Sequence, residues 1–316
     1  MSIRNIIKRS MTLSCAYYMF DDWRSKKRLE KGNLRTTSGS RHATLNLNAS
    51  LAYIDKVYND YIEYGQLDGF QGNIAEIGPG DNFGVALKIL FGGANSVHTI
   101  DRWHSFRDES TMKDIYEALY QKEGYSKLFE GYPSEKTIKN LHAHSGVSAE
   151  RFFRETNLKF DAIISRAVLE HLYSPLNALD SMATTLRPGG LLIHRIDLRD
   201  HGMFSGHHPL TLYTINNIIW RKMTRNSGRP NRFLITDYEN WLKQSGIEGE
   251  LLITRLAGID SEIKPSKWQS IPKFQRDKAL ECVASIRKNL SGRYKHISDQ
   301  SLAVSGCLLI GKKNNI

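Results

Sequence analysis

The chain has 316 residues, of which 40% are hydrophobic, and a formal charge of +11. That length can bury a sizeable core as one large domain or a domain with an appendage, and no apolar run reaches the roughly 18 residues of a membrane-spanning helix. Three cysteines (Cys15, Cys282, Cys307) are too few and too scattered for a disulfide framework or a metal cluster, which points to a reducing, cytoplasmic setting.

Residues 1–50 carry ten Lys or Arg (Arg4, Lys8, Arg9, Arg24, Lys26, Lys27, Arg28, Lys31, Arg35, Arg41) against three acids (Asp21, Asp22, Glu30), a net +7. Residues 1–70 read as a helical, basic arm or lid with a polar break at Thr36-Thr37-Ser38-Gly39-Ser40. Such an arm is either a solvated helix or a peripheral contact with an anionic membrane surface. Residues 51–64 place apolar and aromatic side chains at helical spacing, so this helix is expected on the sheet or over a ligand.

The most informative stretch is Asn73-Ile74-Ala75-Glu76-Ile77-Gly78-Pro79-Gly80-Asp81-Asn82-Phe83-Gly84. It reads as an apolar strand, a glycine turn and a helix start at Val85-Ala86-Leu87. Strand–turn–helix junctions of this kind bind nucleotide-like ligands in open α/β sheets. A dinucleotide fingerprint needs a third glycine where Phe83 stands. Glu76 and Asp81 would also repel a pyrophosphate, but not a ligand carrying an ammonium and a sulfonium. Ser96-Val97-His98-Thr99-Ile100-Asp101 reads as the next strand. Its terminal acid stands about 20 residues beyond the turn, placed to accept ribose hydroxyls.

Residues 103–140 exceed what one crossover helix needs and read as an insertion, with helical pieces over 112–120 and 134–139. A third strand over Leu141–Ser145 leads into Gly146, Val147 and Ser148. The fourth strand, Ala162-Ile163-Ile164, meets a polar end, Ser165-Arg166, and then Leu169-Glu170-His171-Leu172. A helix stops at Arg187-Pro188-Gly189-Gly190, and the strand Leu191-Leu192-Ile193-His194 follows. Beyond it lie Asp197, Arg199, Asp200 and His201, then His207, His208 and the arginines Arg221, Arg225, Arg229 and Arg232. Residues 237–246 read as a helix with a glycine stop. Strands over 250–256 and 302–311 flank a second insertion, 257–300, with a helix near 276–290.

Glu76, Gly78, Gly80, Asp101, Glu170-His171 and Arg187-Pro188-Gly189-Gly190, in this order, resemble the class I S-adenosylmethionine-dependent methyltransferases of small-molecule or glycan type. The resemblance covers about residues 70–200 well and the remainder more loosely. It implies an α/β fold: a Rossmann-like, doubly wound, seven-stranded sheet with one antiparallel strand and helices on both faces. It implies a methyltransferase domain over 71–316, with insertions at about 103–140 and 257–300. The implied cofactor is S-adenosyl-L-methionine, held by Glu76, Gly78, Pro79, Gly80, Asp101 and Arg166, with Gly146, Val147 and Ser148 against its adenine.

Methyl transfer from a sulfonium needs alignment and, for a hydroxyl acceptor, a base. Histidine is the usual base, since near neutral pH it is both uncharged and basic. The pocket of such a sheet lies beyond the carboxyl ends of its strands. His201 is the expected base, with Asp197 or Asp200 orienting it and His171 nearby; the spacing demands no metal. Ser165-Arg166-Ala167-Val168 stands where base-methylating enzymes carry Asn/Asp-Pro-Pro-aromatic, so DNA is not an expected partner. The expected reaction is O-methylation of a hydroxylated small molecule or glycan in a secondary-metabolite or surface-polysaccharide pathway, the arginines suiting an anionic acceptor. Two alternatives stand beside it: non-methyl chemistry such as a cyclisation on the same fold, or a basic-armed RNA- or membrane-binding protein with a vestigial cofactor site.

Overall fold

A seven-stranded sheet organises the chain. The computed structural model describes residues 10–36 and 38–315; Arg4, Lys8, Arg9 and Thr37 of the basic arm lie outside them. The strands are β1 (Gly72–Ile77), β2 (Ala94–Asp101), β3 (Leu141–Ser145), β4 (Phe160–Arg166), β5 (Leu186–Asp197), β6 (Ile247–Leu256) and β7 (Val304–Lys313). Their order is β3-β2-β1-β4-β5-β7-β6. All neighbours pair in parallel except β7, which runs antiparallel to both β5 and β6. The chain reverses its strand order beside β1, and this switch point is where an open α/β sheet binds its ligand.

The central strands are apolar on both faces because both faces are covered. Ile74, Ala162, Ile164 and Ile193 pack into one core, while Ala75, Ile77, Ile163 and Leu192 pack into the other. Successive side chains of a strand point to opposite faces, so neighbours in sequence serve different cores. On the first face lie α2 (Leu47–Gly65), α3 (Gly84–Phe91) and α4 (Glu109–Tyr120). On the second lie α5 (Ala149–Glu155), α6 (Pro175–Thr185), α8 (Ile235–Gln244), α9 (Lys273–Ile286) and α10 (Asp299–Ala303). Side-chain caps start several of these helices: Asn46 Oδ1 accepts from Ala49 N at 2.8 Å, and Asp108 Oδ1 from Thr111 N at 2.9 Å.

The arm is a 20-residue helix, α1 (Met11–Glu30), followed by an extended strap. Within the strap, Arg35–Thr36 pairs in parallel with His104–Ser105. Helix α1 packs on α7 (Asn217–Thr224). Among the described residues no helix is long and apolar enough to cross a membrane.

Two expectations need correction. Residues 134–139 form no helix: Thr137 N donates to Ser134 O, the Ser134 and Thr137 hydroxyls lie 3.2 Å apart, and Ile138 bridges to Phe129. Short hydroxyl side chains that bond their own backbone favour turns over helices. Arg187-Pro188-Gly189-Gly190 does not lie between helix and strand but within β5, where the register against β4 slips between Phe160 and Ala162.

Candidate active site

The glycine turn forms one wall of a cavity of about 420 Å³ at the carboxyl ends of β1, β2 and β4. Gly78 (φ +69°) and Gly80 (φ +77°) adopt backbone that a side chain disfavours. A Cβ on Gly78 would stand 2.5 Å from Val168 Cγ2. Glu76, at the end of β1, lines the cavity, is 5% exposed, and its Oε2 has no hydrogen-bond partner among the described residues. Burial pushes its carboxyl up to about 8. Asp101, at the end of β2, accepts from Trp103 N at 2.9 Å, and burial raises it to about 6. A buried acid with an unpartnered oxygen, and a second acid with one donor, beside an open glycine turn fit a ligand that brings an ammonium and hydroxyls, as S-adenosylmethionine does.

Pro79 and Arg166 also line the cavity. Arg166 Nη1 donates to Asp60 Oδ2 of α2 at 2.6 Å, which ties that helix to the end of β4. Gly146, Val147 and Ser148 are not among the residues lining this cavity. Leu34 Cδ1 and His104 pack over Gly146, and Ser148 caps α5 by accepting from Arg151 N.

The strap roofs the glycine turn. Gly39 O lies 3.0 Å from where a Cβ on Gly80 would sit, and Ala43 N donates to Asp81 Oδ2 at 3.0 Å. Arg35, Thr36, Gly39, Arg41 and His42 all face the cavity, as do Tyr53, Val57 and Tyr61 of α2. The sequence pattern places α2 here and marks the strap only as a polar break at residues 36–40, without its position over the glycine turn.

The far end of the cavity holds His171 and His201. Their rings meet edge to face with centroids 4.8 Å apart. His171 Nδ1 lies 2.9 Å from Gly228 O, so this nitrogen carries the proton and Nε2 the lone pair. Burial lowers His171 to about 4. His201 Nε2 faces two carboxylates, Asp197 Oδ2 at 3.6 Å and Glu170 Oε1 at 3.7 Å. Burial lowers His201 as well, outweighing the pull of Asp197 upward. Glu170 is 1% exposed, and neither of its oxygens has a hydrogen-bond partner among the described residues. Burial drives its carboxyl well above the usual range. Asp197 behaves oppositely: burial pushes it up, but the bonds from Arg199 Nε (2.8 Å) and Nη2 (2.5 Å) hold it low.

Asp200 does not orient His201. Its two oxygens accept from Gly202 N (2.9 Å) and Phe204 N (2.8 Å), closing the turn that follows β5. That turn sets His201 itself at φ +50°, a backbone that costs an ordinary residue on the order of 1–3 kcal/mol. His208 is engaged elsewhere, with Nε2 3.0 Å from Cys282 O and Nδ1 accepting from Leu210 N. The Glu170-His171 turn is clamped by a residue far along the chain. Asn231 N donates to Glu170 O, and its Nδ2 donates to Leu169 O (2.9 Å) and Leu172 O (3.0 Å).

The methyltransferase domain family matches residues 75–251, more than half of the chain. No curated protein matches the sequence. Among solved structures, it is similar to the N-methyltransferase NodS from Bradyrhizobium japonicum WM9 in complex with S-adenosyl-L-homocysteine. That likeness has 14% identity and a TM-score of 0.40 over 82% of this chain and 86% of that one. It is also similar to phosphoethanolamine N-methyltransferase 2 from Haemonchus contortus in complex with S-adenosyl-L-methionine, at 13% identity and a TM-score of 0.42, over 82% of this chain and 52% of that one. With the family match spanning the glycine turn, β1 to β5 and the histidine cluster, the chain belongs to the class I S-adenosylmethionine-dependent methyltransferases.

Proposed function

We propose that the protein transfers the methyl group of S-adenosylmethionine to a hydroxyl oxygen of a small molecule or glycan that also carries an anionic group. The observation behind this reading is that one cavity reaches from the glycine turn to two imidazoles backed by two carboxylates. When bound, S-adenosylmethionine supplies an electrophilic methyl on a sulfonium. Glu76, Gly78, Pro79, Gly80, Asp101 and Arg166 hold the donor end. Glu170, His171 and His201 take the acceptor oxygen, and Asp197 orients His201. With both imidazoles held neutral by burial, neither repels an incoming hydroxyl proton.

The anionic acceptor is supported by a second groove. Arg221, Arg225, Arg229, Arg232 and Arg293 line it together with Tyr173, and no carboxylate residue lines it. Arg229 and Arg293 already serve Asp21 and Asp237, and Arg232 serves backbone carbonyls, so Arg221 and Arg225 are the residues assigned to a phosphate or carboxylate.

Transfer of labelled methyl to a panel of hydroxylated glycans and sugar phosphates tests the reading. The wild type is expected to label at least one acceptor. His201→Asn should lower turnover on the order of 10²-fold or more while donor binding stays unchanged. An acceptor consumed without taking up label would instead favour non-methyl chemistry on this fold.

A further inference from the structure

We propose that Glu170, His171 and His201 form a binding site for a divalent first-row transition-metal ion at the acceptor end of the cavity. Each offers one ligand atom, and the three atoms lie within 4.8 Å of one another. An ion bound to nitrogen and carboxylate oxygen sits about 2.0–2.2 Å from each donor. The side chains therefore need to close by less than roughly 1 Å to share it.

Three features set this cluster apart from an incidental group of polar side chains. Glu170 is all but fully buried, and neither oxygen accepts a well-formed hydrogen bond among the described residues, the backbone N–H groups of Glu170 and Asp197 approaching the carboxyl without completing one. In ionised form a carboxylate so placed needs a positive charge, and Arg199, whose charge acts on it, is already bound two-fold to Asp197. His171 donates from Nδ1 to the Gly228 carbonyl and so presents Nε2 as a lone pair. Metal-binding histidines are commonly fixed in this way by a carbonyl behind the ring. Finally, both imidazoles face the cavity, which leaves the open side of the site toward the acceptor.

Two imidazoles and one carboxylate with open positions suit Mn²⁺, Fe²⁺, Co²⁺ or Zn²⁺ rather than Mg²⁺ or Ca²⁺, which favour oxygen throughout. Asp197 stands 3.6 Å from His201 Nε2 but is committed to Arg199, so it is the anion behind the site and not a fourth ligand. The consequence for chemistry rests on the O-methylation reading above. An acceptor hydroxyl bound to the ion loses its proton to solvent water, and the ion holds the resulting oxygen charge. His201 is then a ligand and not a free base.

Titration of the full chain, stripped with a chelator, by Co²⁺ (visible absorption) and by Mn²⁺ (electron paramagnetic resonance) tests the site with neither donor nor acceptor present. The expected result is one ion per chain, with affinity falling at least about 10-fold in Glu170→Gln and in His201→Asn. Glu170→Gln keeps the shape of a buried side chain, and Asn tolerates the left-handed backbone at position 201. Asp101→Ala, at the other end of the cavity, should bind the ion as the wild type does. Absence of stoichiometric binding by the wild type, or wild-type affinity in both ligand variants, overturns the proposal. Because the readout involves no methyl transfer, failure to find a hydroxyl acceptor would overturn the O-methylation reading and leave the metal result standing.

Discussion

Glu76 carries a proton in the folded chain that the unfolded chain gives up. Burial raises it from the ordinary 4.5 to about 8. Its raised value fixes the sign: the stability linked to it is fully present below about pH 4.5 and is lost as pH rises through about 8. Ligand-free protein should thus become less stable by a few kcal/mol across this window, and thermal unfolding of Glu76→Gln should show a flatter slope. S-adenosylmethionine should offset the loss, so its stabilising effect should grow between pH 6 and 8. Glu76 and Asp101 are legible in the sequence because each closes an apolar run at a strand end, where the pocket of such a sheet must lie. Asp200 and His201 are adjacent in sequence yet do different things, because the turn after β5 points one carboxylate at backbone amides and one imidazole at the cavity. Nothing in residue order encodes that division, and the buried state of Glu170 is likewise set by the packing around it.

At the scale of elements, α1 is held by a contact that spans about two-thirds of the chain. Asp22, 3% exposed, accepts from Asn226 N (2.7 Å), Asn226 Nδ2 (2.7 Å) and Ser227 N (2.9 Å). The neighbouring Asp21 binds Arg229, whose guanidinium also lies 4.3 Å over the Tyr18 ring. These bonds fix residues 226–228 beside His171, since Gly228 supplies the carbonyl that sets its tautomer. Asp22→Ala leaves three donors without an anion and should destabilise the protein by about 2–3 kcal/mol. Limited proteolysis between Lys31 and Arg41 should then be faster than in the wild type. Composition marks this arm as basic, but two of its acids, buried Asp22 and half-buried Asp21, do the docking. A charge count cannot reveal that, because the partners lie some 200 residues away.

For the molecule as a whole, local patterns locate most strands and helices, while the seven-stranded order with one antiparallel strand is legible through the family resemblance and not from periodicity. The covers of the site are legible only as an arm or lid with a polar break, because the strap is irregular and the contacts that place it over the glycine turn are distant in sequence. Its roof over the glycine turn has a kinetic meaning. Because Gly39 lies directly against Gly80, exchange of a donor bound beside the glycine turn is expected to require movement of the strap. On that expectation the arm, as well as the imidazoles, bears on the pace of turnover. Ser105 Oγ holds the strap by donating to Ser38 O at 3.0 Å. Ser105→Ala removes one bond, about 1 kcal/mol, which speeds opening about 5-fold. Stopped-flow fluorescence from Trp103, which faces the cavity, should show entry and exit of S-adenosylhomocysteine accelerating together with little change in affinity. A latch of this kind meters traffic through the site without altering which ligand it prefers.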